Sequence, residues 1–107
     1  MVNATETTTL TTETILQTLR QLFAALQKQY NIKKLGLFGS YSRNQATEES
    51  DIDLLIELDP DITFGLITFC QIEDTLSEKL GKKVDLVIAE NLKPSLKQNI
   101  LDDVIYL

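Results

Sequence analysis

Apolar and polar positions follow two rhythms along this chain. From Thr12 onward, apolar residues fall at Ile15, Leu16, Leu19, Leu22, Phe23 and Leu26, the spacing of one helix face. Thr12 is the expected N-cap, since its hydroxyl can accept from a free backbone N–H, and Asn31 is the expected stop. Lys33-Lys34 lead into a short apolar run, Leu35-Gly36-Leu37-Phe38, read as a strand. After Gly39-Ser40, the stretch Tyr41 to Ala46 reads as a short helix at best, followed by the loop Thr47-Glu48-Glu49-Ser50. Period two then takes over from Asp51 to Leu58, a second strand stopped by Asp59-Pro60-Asp61.

Helical spacing returns at Leu66, Phe69, Ile72, Leu76 and Leu80, with Thr63 as the expected cap and Gly81 as the stop. The stripe from Phe64 to Leu80 reads as core, with room for one exposed edge that a partner could cover, and Cys70 within it as a packing residue. Val84 to Ile88 is a third strand. Pro94 suits the first turn of a last helix through Leu96, Ile100 and Leu101. Val104-Ile105-Tyr106-Leu107 either finish that helix or add an edge strand. Residues 1–11, rich in Thr, read as a flexible tail, and 12–107 as one domain.

Connection lengths constrain how the strands meet. From Phe38 to Asp51 there are about a dozen residues, marginal for a parallel crossover with its own helix. Antiparallel pairing is easier, and it brings Gly39-Ser40 beside Asp51. The link from Leu58 to Val84 holds a full helix, as a right-handed parallel crossover requires. The class is therefore α/β (α+β), a small mixed sheet of about three strands packed with helices. Strands two and three start at the same end, which places Asp85 beside Asp51 and Asp53.

That junction carries the candidate chemistry. A strand ending in Gly39-Ser40 and followed by residues of helical length offers free backbone N–H groups, a natural seat for phosphate. Asp51 and Asp53 alternate with Ile52 and Leu54, so both carboxylates leave the strand on one face. Side by side they repel unless a cation holds them, and hard oxygen ligands suit Mg²⁺. A phosphate seat and metal-binding carboxylates in one short stretch point to nucleotide chemistry.

Composition narrows the alternatives. The chain of 107 residues has 43% hydrophobic and 24% charged residues, ordinary for a soluble globular domain. A formal net charge of −6 opposes a general nucleic-acid coat, so no direct nucleic-acid partner is expected. The absence of His removes Ser-His and Cys-His catalysis and imidazole zinc ligation. The single Cys70 cannot form an intrachain disulfide. No stretch approaches the roughly 18 apolar residues of a membrane span, so no membrane partner and a cytoplasmic location are expected.

Gly39-Ser40, ten intervening residues, then Asp51-x-Asp53 resembles the signature of the DNA polymerase β-like nucleotidyltransferase superfamily. Arg43, the wording Ser50-Asp51-Ile52-Asp53-Leu54, the later Val84-Asp85-Leu86-Val87 and the small size are similar to its minimal branch. That branch is the minimal nucleotidyltransferase (MNT) antitoxins paired with HEPN-domain toxins, and the resemblance covers about residues 15–107. It implies that Asp51 and Asp53 hold two Mg²⁺ ions and that Asp85 shares one and helps deprotonate the attacking hydroxyl. It also implies that Gly39 and Ser40 hold the β- and γ-phosphates of ATP, with Arg43 as a further phosphate contact. Relatives often carry Gly where Asn44 stands, a position Asn can occupy because it tolerates left-handed backbone. The implied activity is transfer of AMP from ATP to a tyrosine of a HEPN ribonuclease toxin, silencing it.

Blander readings compete. Asp51 and Asp53 could be a solvated strand face, Arg43 could brace the loop through Glu48 or Glu49, and Lys82-Lys83 reads more readily as a solvated turn than as a phosphate site. Tyr41 and Ser42 read as packing and capping residues. Two further functions compete with the enzyme: an antitoxin that neutralises by binding alone, and a small-molecule nucleotidyltransferase. The last suffers from length, because no residues remain for an acceptor-binding domain.

Overall fold

The computed structural model describes residues 10–59, 61 and 65–107. Residues 1–9 of the Thr-rich tail lie outside these, as do Thr63 and Phe64. In order, the elements are α1 (Thr12–Tyr30), β1 (Ile32–Phe38), β2 (Ile52–Leu58), α2 (Leu66–Leu80), β3 (Val84–Ile88), α3 (Pro94–Asp103) and β4 (Ile105–Tyr106). A 3₁₀ turn, Ala89–Asn91, links β3 to α3.

The cap of α1 falls one residue earlier than the sequence suggests. Thr11 is the N-cap, its hydroxyl accepting from Thr14 N–H while Thr14 Oγ1 accepts from Thr11 N–H. Thr12 instead turns its hydroxyl towards the Tyr41 carbonyl. Asn31 ends the helix in left-handed backbone at φ 58°. Ile15, Leu16, Leu19 and Leu26 form the buried face.

β1 begins at Ile32, three residues before the apolar run that marks it in the sequence. A bulge between Ile32 and Lys34 explains why. The extra residue leaves both Lys33 and Lys34 exposed, so the strand's first half loses its alternation. β1 runs antiparallel to β2, β2 parallel to β3, and β4 joins the free side of β1 antiparallel, giving the order β3-β2-β1-β4. The terminal residues thus add an edge strand, for a mixed sheet of four strands where about three were expected.

Alternation in the register sorts the two sheet faces. Leu35, Leu37, Ile52, Leu54, Ile56, Val84 and Leu86 join Ile15 and Leu19 of α1 and Ile72 and Leu76 of α2 in one core. Asp53, Asp85 and Gly36 lie on the opposite face. Gly36 is needed there because a Cβ would collide with the Val104 side chain, which lets the segment between α3 and β4 lie flat on the sheet.

Two positions in α2 depart from the sequence reading. Leu66 is 77% exposed and Cys70 is also exposed, so neither packs in the core. The buried stripe begins further along, at Ile72, Leu76 and Leu80, with Phe69 partly covered. The helix is capped by Gly65, without a side-chain bond, and stopped by Gly81 at φ 70°. Where α2 meets β3, Glu73 Oε2 accepts from Leu86 N–H at 2.9 Å and Ser77 Oγ from Val84 N–H at 3.0 Å. These two side chains satisfy donors on the outer edge of β3, an edge that would otherwise invite pairing.

Candidate active site

The register fixes the carboxylates before any side chain is considered. Asp53 pairs with Phe38 across the antiparallel ladder and with Asp85 across the parallel one. Asp53 and Asp85 are therefore same-face neighbours, and Asp51 follows two residues back, just before β2. Ile52 N–H donates to the Lys83 carbonyl at 3.0 Å, tying the starts of β2 and β3 together. Lys83 Nζ stands 3.8 Å from Asp51 Oδ2, a loose and exposed pair.

Gly39 closes the junction from the other side. It sits in left-handed backbone at φ 79°, and a Cβ there would drive into the Asp53 carboxylate. No other residue type permits both the turn and the close approach. The carboxylate of Asp53 thus lies directly against the turn that carries Ser40.

The segment after Gly39 is a tight turn, not the short helix considered from the sequence. Gly39 O accepts from Ser42 Oγ at 2.8 Å and from Arg43 N–H at 3.3 Å, and Gln45 N–H donates to Ser40 O at 2.9 Å. Asn44 adopts φ 58°, the left-handed geometry its side chain tolerates. The backbone N–H groups of Ser40, Tyr41 and Ser42 meet no acceptor among the described residues. These donors sit in a turn and not at the start of a helix, so no helix dipole backs them.

Behind the turn, Tyr41 is buried and Ser42 caps Gly39, so both serve packing and capping. Lys82 does more than sit in a solvated turn. Its Nζ donates to the Glu48 carbonyl at 2.8 Å, lies 3.4 Å from that of Thr47, and stands 5.5 Å from the centre of the Tyr41 ring. Thr12 holds the same turn through the Tyr41 carbonyl. Arg43 turns away from Glu48 and Glu49 and pairs with Asp103 at 2.7 Å. The sequence reading gives Lys82 and Thr12 other roles and does not single out Asp103, since each acts through a contact far away along the chain.

Electrostatics mark Asp53 as the crowded member. Burial pushes its carboxyl above the ordinary 3.8, the charges of Asp85 and Asp51 push it further, and Arg43 opposes them. A divalent cation would relieve that repulsion, and the donors present, all carboxylate oxygens, fit Mg²⁺. Among the described residues no three acidic side chains already converge at metal-ligand spacing. Two surface clefts, of about 770 Å³ beside Thr12 and Lys82 and about 450 Å³ beside Leu66 and Val87, are not lined by Gly39, Ser40, Asp51, Asp53 or Asp85. The carboxylates lie where β2 and β3 begin, Asp51 and Asp53 partly exposed and Asp85 exposed.

Comparison with known proteins agrees with this architecture. Residues 19–107 match the family described as nucleotidyltransferase domain. A Methanocaldococcus jannaschii protein, provisionally named a protein adenylyltransferase, is 44% identical over 90 residues, covering 83% of this chain and 90% of its own. A solved structure assigned as a minimal nucleotidyltransferase superposes with a TM-score of 0.75 at 31% identity, over 92% of this chain and 97% of that one. A toxin–antitoxin structure with AMP-PNP is similar at a TM-score of 0.68 and 25% identity, over 91% of this chain and 72% of that one. The Gly39-Ser40 turn, the Asp53–Asp85 pairing and these likenesses converge: this chain belongs to the nucleotidyltransferase domain family, as a minimal, protein adenylyltransferase-like transferase.

Proposed function

We propose that the chain is an antitoxin that transfers AMP from ATP to a tyrosine of a HEPN-domain ribonuclease toxin, with Mg²⁺ as cofactor. The observation that carries the reading is the meeting of Gly39, Asp53 and Asp85 at one sheet end. The relative provisionally named a protein adenylyltransferase and the likeness to a toxin–antitoxin structure with AMP-PNP support a nucleotide substrate and a toxin as partner.

In the reaction, a tyrosine oxygen of the partner bonds to the α-phosphorus of ATP, the bond to the β-phosphate oxygen breaks, and pyrophosphate leaves. The N–H groups of Ser40, Tyr41 and Ser42 would bind the β- and γ-phosphates. Held there, the triphosphate presents its α-phosphorus towards the carboxylates. Asp51, Asp53 and Asp85 would hold the metal, which supplies charge neutralisation on the phosphates and a lowered pKa for the attacking hydroxyl. Asp85, the most exposed of the three, would accept the tyrosine proton. Carboxylates exposed in this way suit an acceptor that brings its own surface, and a protein does so where a small molecule would not.

ATP should bind appreciably only with Mg²⁺ or Mn²⁺, because an unshielded triphosphate meets three like charges. Titration calorimetry with metal and with excess chelator tests this. Equal affinity in the two buffers would overturn the site.

A further inference from the structure

Helix α3 ends in two acids, Asp102 and Asp103, with no basic residue in its last turn. Carboxylates there face the negative end of the helix dipole, which costs stability unless something else holds them. The two differ in what they touch. Asp102 Oδ1 accepts from Gln98 Nε2 within the helix at 3.1 Å. Asp103 Oδ2 accepts from Arg43 Nη1 at 2.7 Å, across sixty residues of chain.

Arg43 is held at two corners of its fork. Nη1 takes Asp103, and Nε donates to Gln45 Oε1 at 3.3 Å. Nothing among the described residues takes up Nη2. The backbone of Arg43 belongs to the turn, through its N–H to the Gly39 carbonyl at 3.3 Å, and its charge reaches Asp53. Asp103 itself is fixed in place. The next residue, Val104, packs on Gly36, and Ile105 and Tyr106 pair with β1. A planar cation with two corners anchored and an edge open, beside unpaired N–H donors, matches phosphate oxygens.

We propose that Asp103 is a positioning residue for the nucleotide: it holds the Arg43 guanidinium by one corner so that the Nη2 edge meets the triphosphate lying on the Gly39–Ser42 turn. This rests on the nucleotide-binding reading of that turn. It gives α3 and β4 a role at the site, and it explains an acid at an electrostatically poor helix end.

The test is titration calorimetry of ATP in Mg²⁺ on the wild-type chain and on Asp103→Asn, Asp103→Glu, Arg43→Ala, Asp102→Asn and the double variant Arg43→Ala/Asp103→Asn. Asp103→Asn should weaken binding on the order of fivefold, the scale of a partly exposed ion pair. Asp103→Glu, which keeps the carboxylate, should recover much of that loss. Arg43→Ala should weaken binding on the order of tenfold or more, and the double variant should be no weaker than Arg43→Ala alone. Asp102→Asn removes the same charge from the same helix end and should change nothing, which a general charge effect would not allow. Unaltered binding in Asp103→Asn alongside weakened Arg43→Ala would make Asp103 purely structural and overturn the proposal while the nucleotide reading stands. Tighter binding in Asp103→Asn, or additive losses in the double variant, would overturn it as well. If wild-type protein binds no ATP in Mg²⁺, the nucleotide reading fails and this inference falls with it.

Discussion

Replacing Asp53 with Asn should stabilise the protein in metal-free buffer and destabilise it relative to wild type once Mg²⁺ and ATP are present. Asn is nearly isosteric, so the close fit against Gly39 survives and the change is one of charge. Neighbouring strands lie about 4.8 Å apart, so the facing carboxylates of Asp53 and Asp85 stand on the order of 5–6 Å apart. Their repulsion is then about 0.7 kcal/mol in fully aqueous surroundings and about 3 kcal/mol at a surface dielectric of about 20. Asp85 is exposed and Asp53 only half-buried, and Arg43 offsets part of the repulsion, so the screened end applies. About 1 kcal/mol is expected, or about 5 °C in melting temperature for a domain of this size.

The sign with pH follows from the raised carboxyl of Asp53. The native state takes up a proton there more readily than the unfolded chain does. The penalty is therefore fully present above the folded pKa and is relieved as pH falls through it, so the advantage of Asn should shrink on acidification. With nucleotide and metal the order should invert, because a ligand at a hundredfold its dissociation constant adds about 2.7 kcal/mol to wild type alone. Thermal melts of both proteins, in chelator and in Mg²⁺ with ATP, make the measurement. A lower or unchanged melting temperature for the variant in chelator would refute the crowding of these carboxylates.

Gly39→Ala should cost on the order of 1–2 kcal/mol from its left-handed backbone, and more from the collision with Asp53, with loss of ATP binding; calorimetry showing wild-type affinity would contradict this. Tyr106, whose hydroxyl donates to Glu57 at 2.6 Å, is pushed up to about 12 by burial and by that carboxylate. Its contribution to stability is therefore intact below the ordinary 10 and is lost as pH rises through about 12, and Glu57→Gln should lower the tyrosine's midpoint in a spectrophotometric titration. An unmoved midpoint would count against the bond. Lys82→Ala should speed amide exchange in residues 40–50 while costing less than about 1 kcal/mol globally, because it releases the Thr47 and Glu48 carbonyls and the Tyr41 ring; unchanged exchange there would refute its role as a brace.

Much of this site was legible because its signals are local. Asp51-x-Asp53 announces a shared strand face through period two alone, and Gly81 and Pro94 mark helix ends by conformational necessity. Asp85 became legible through connection length, since a helical crossover forces parallel strands to start together. What stayed hidden depends on contacts between distant segments. The bulge at Lys33 disguises the first half of β1. Thr11 and Thr12 are chemically alike, and only the position of Tyr41 decides which one caps and which one braces the turn. Leu66 and Cys70 keep helical spacing yet stay exposed, so periodicity overstates the core. Arg43 finds Asp103 across sixty residues, and no local pattern could name that partner.

The proposed function stands or falls on transfer to a partner protein. Wild-type protein with ATP and Mg²⁺, incubated with a tyrosine-bearing HEPN partner, should add the mass of AMP to that partner in intact-mass spectrometry. The double variant Asp51→Asn/Asp53→Asn should fold, still bind the partner and add none, since electrostatic stabilisation supplies most of the catalysis of phosphoryl transfer. A folded double variant that neutralises the toxin in cells as well as wild type would instead show that binding alone suffices. No added mass with wild-type protein, under any nucleoside triphosphate, would contradict AMP transfer outright.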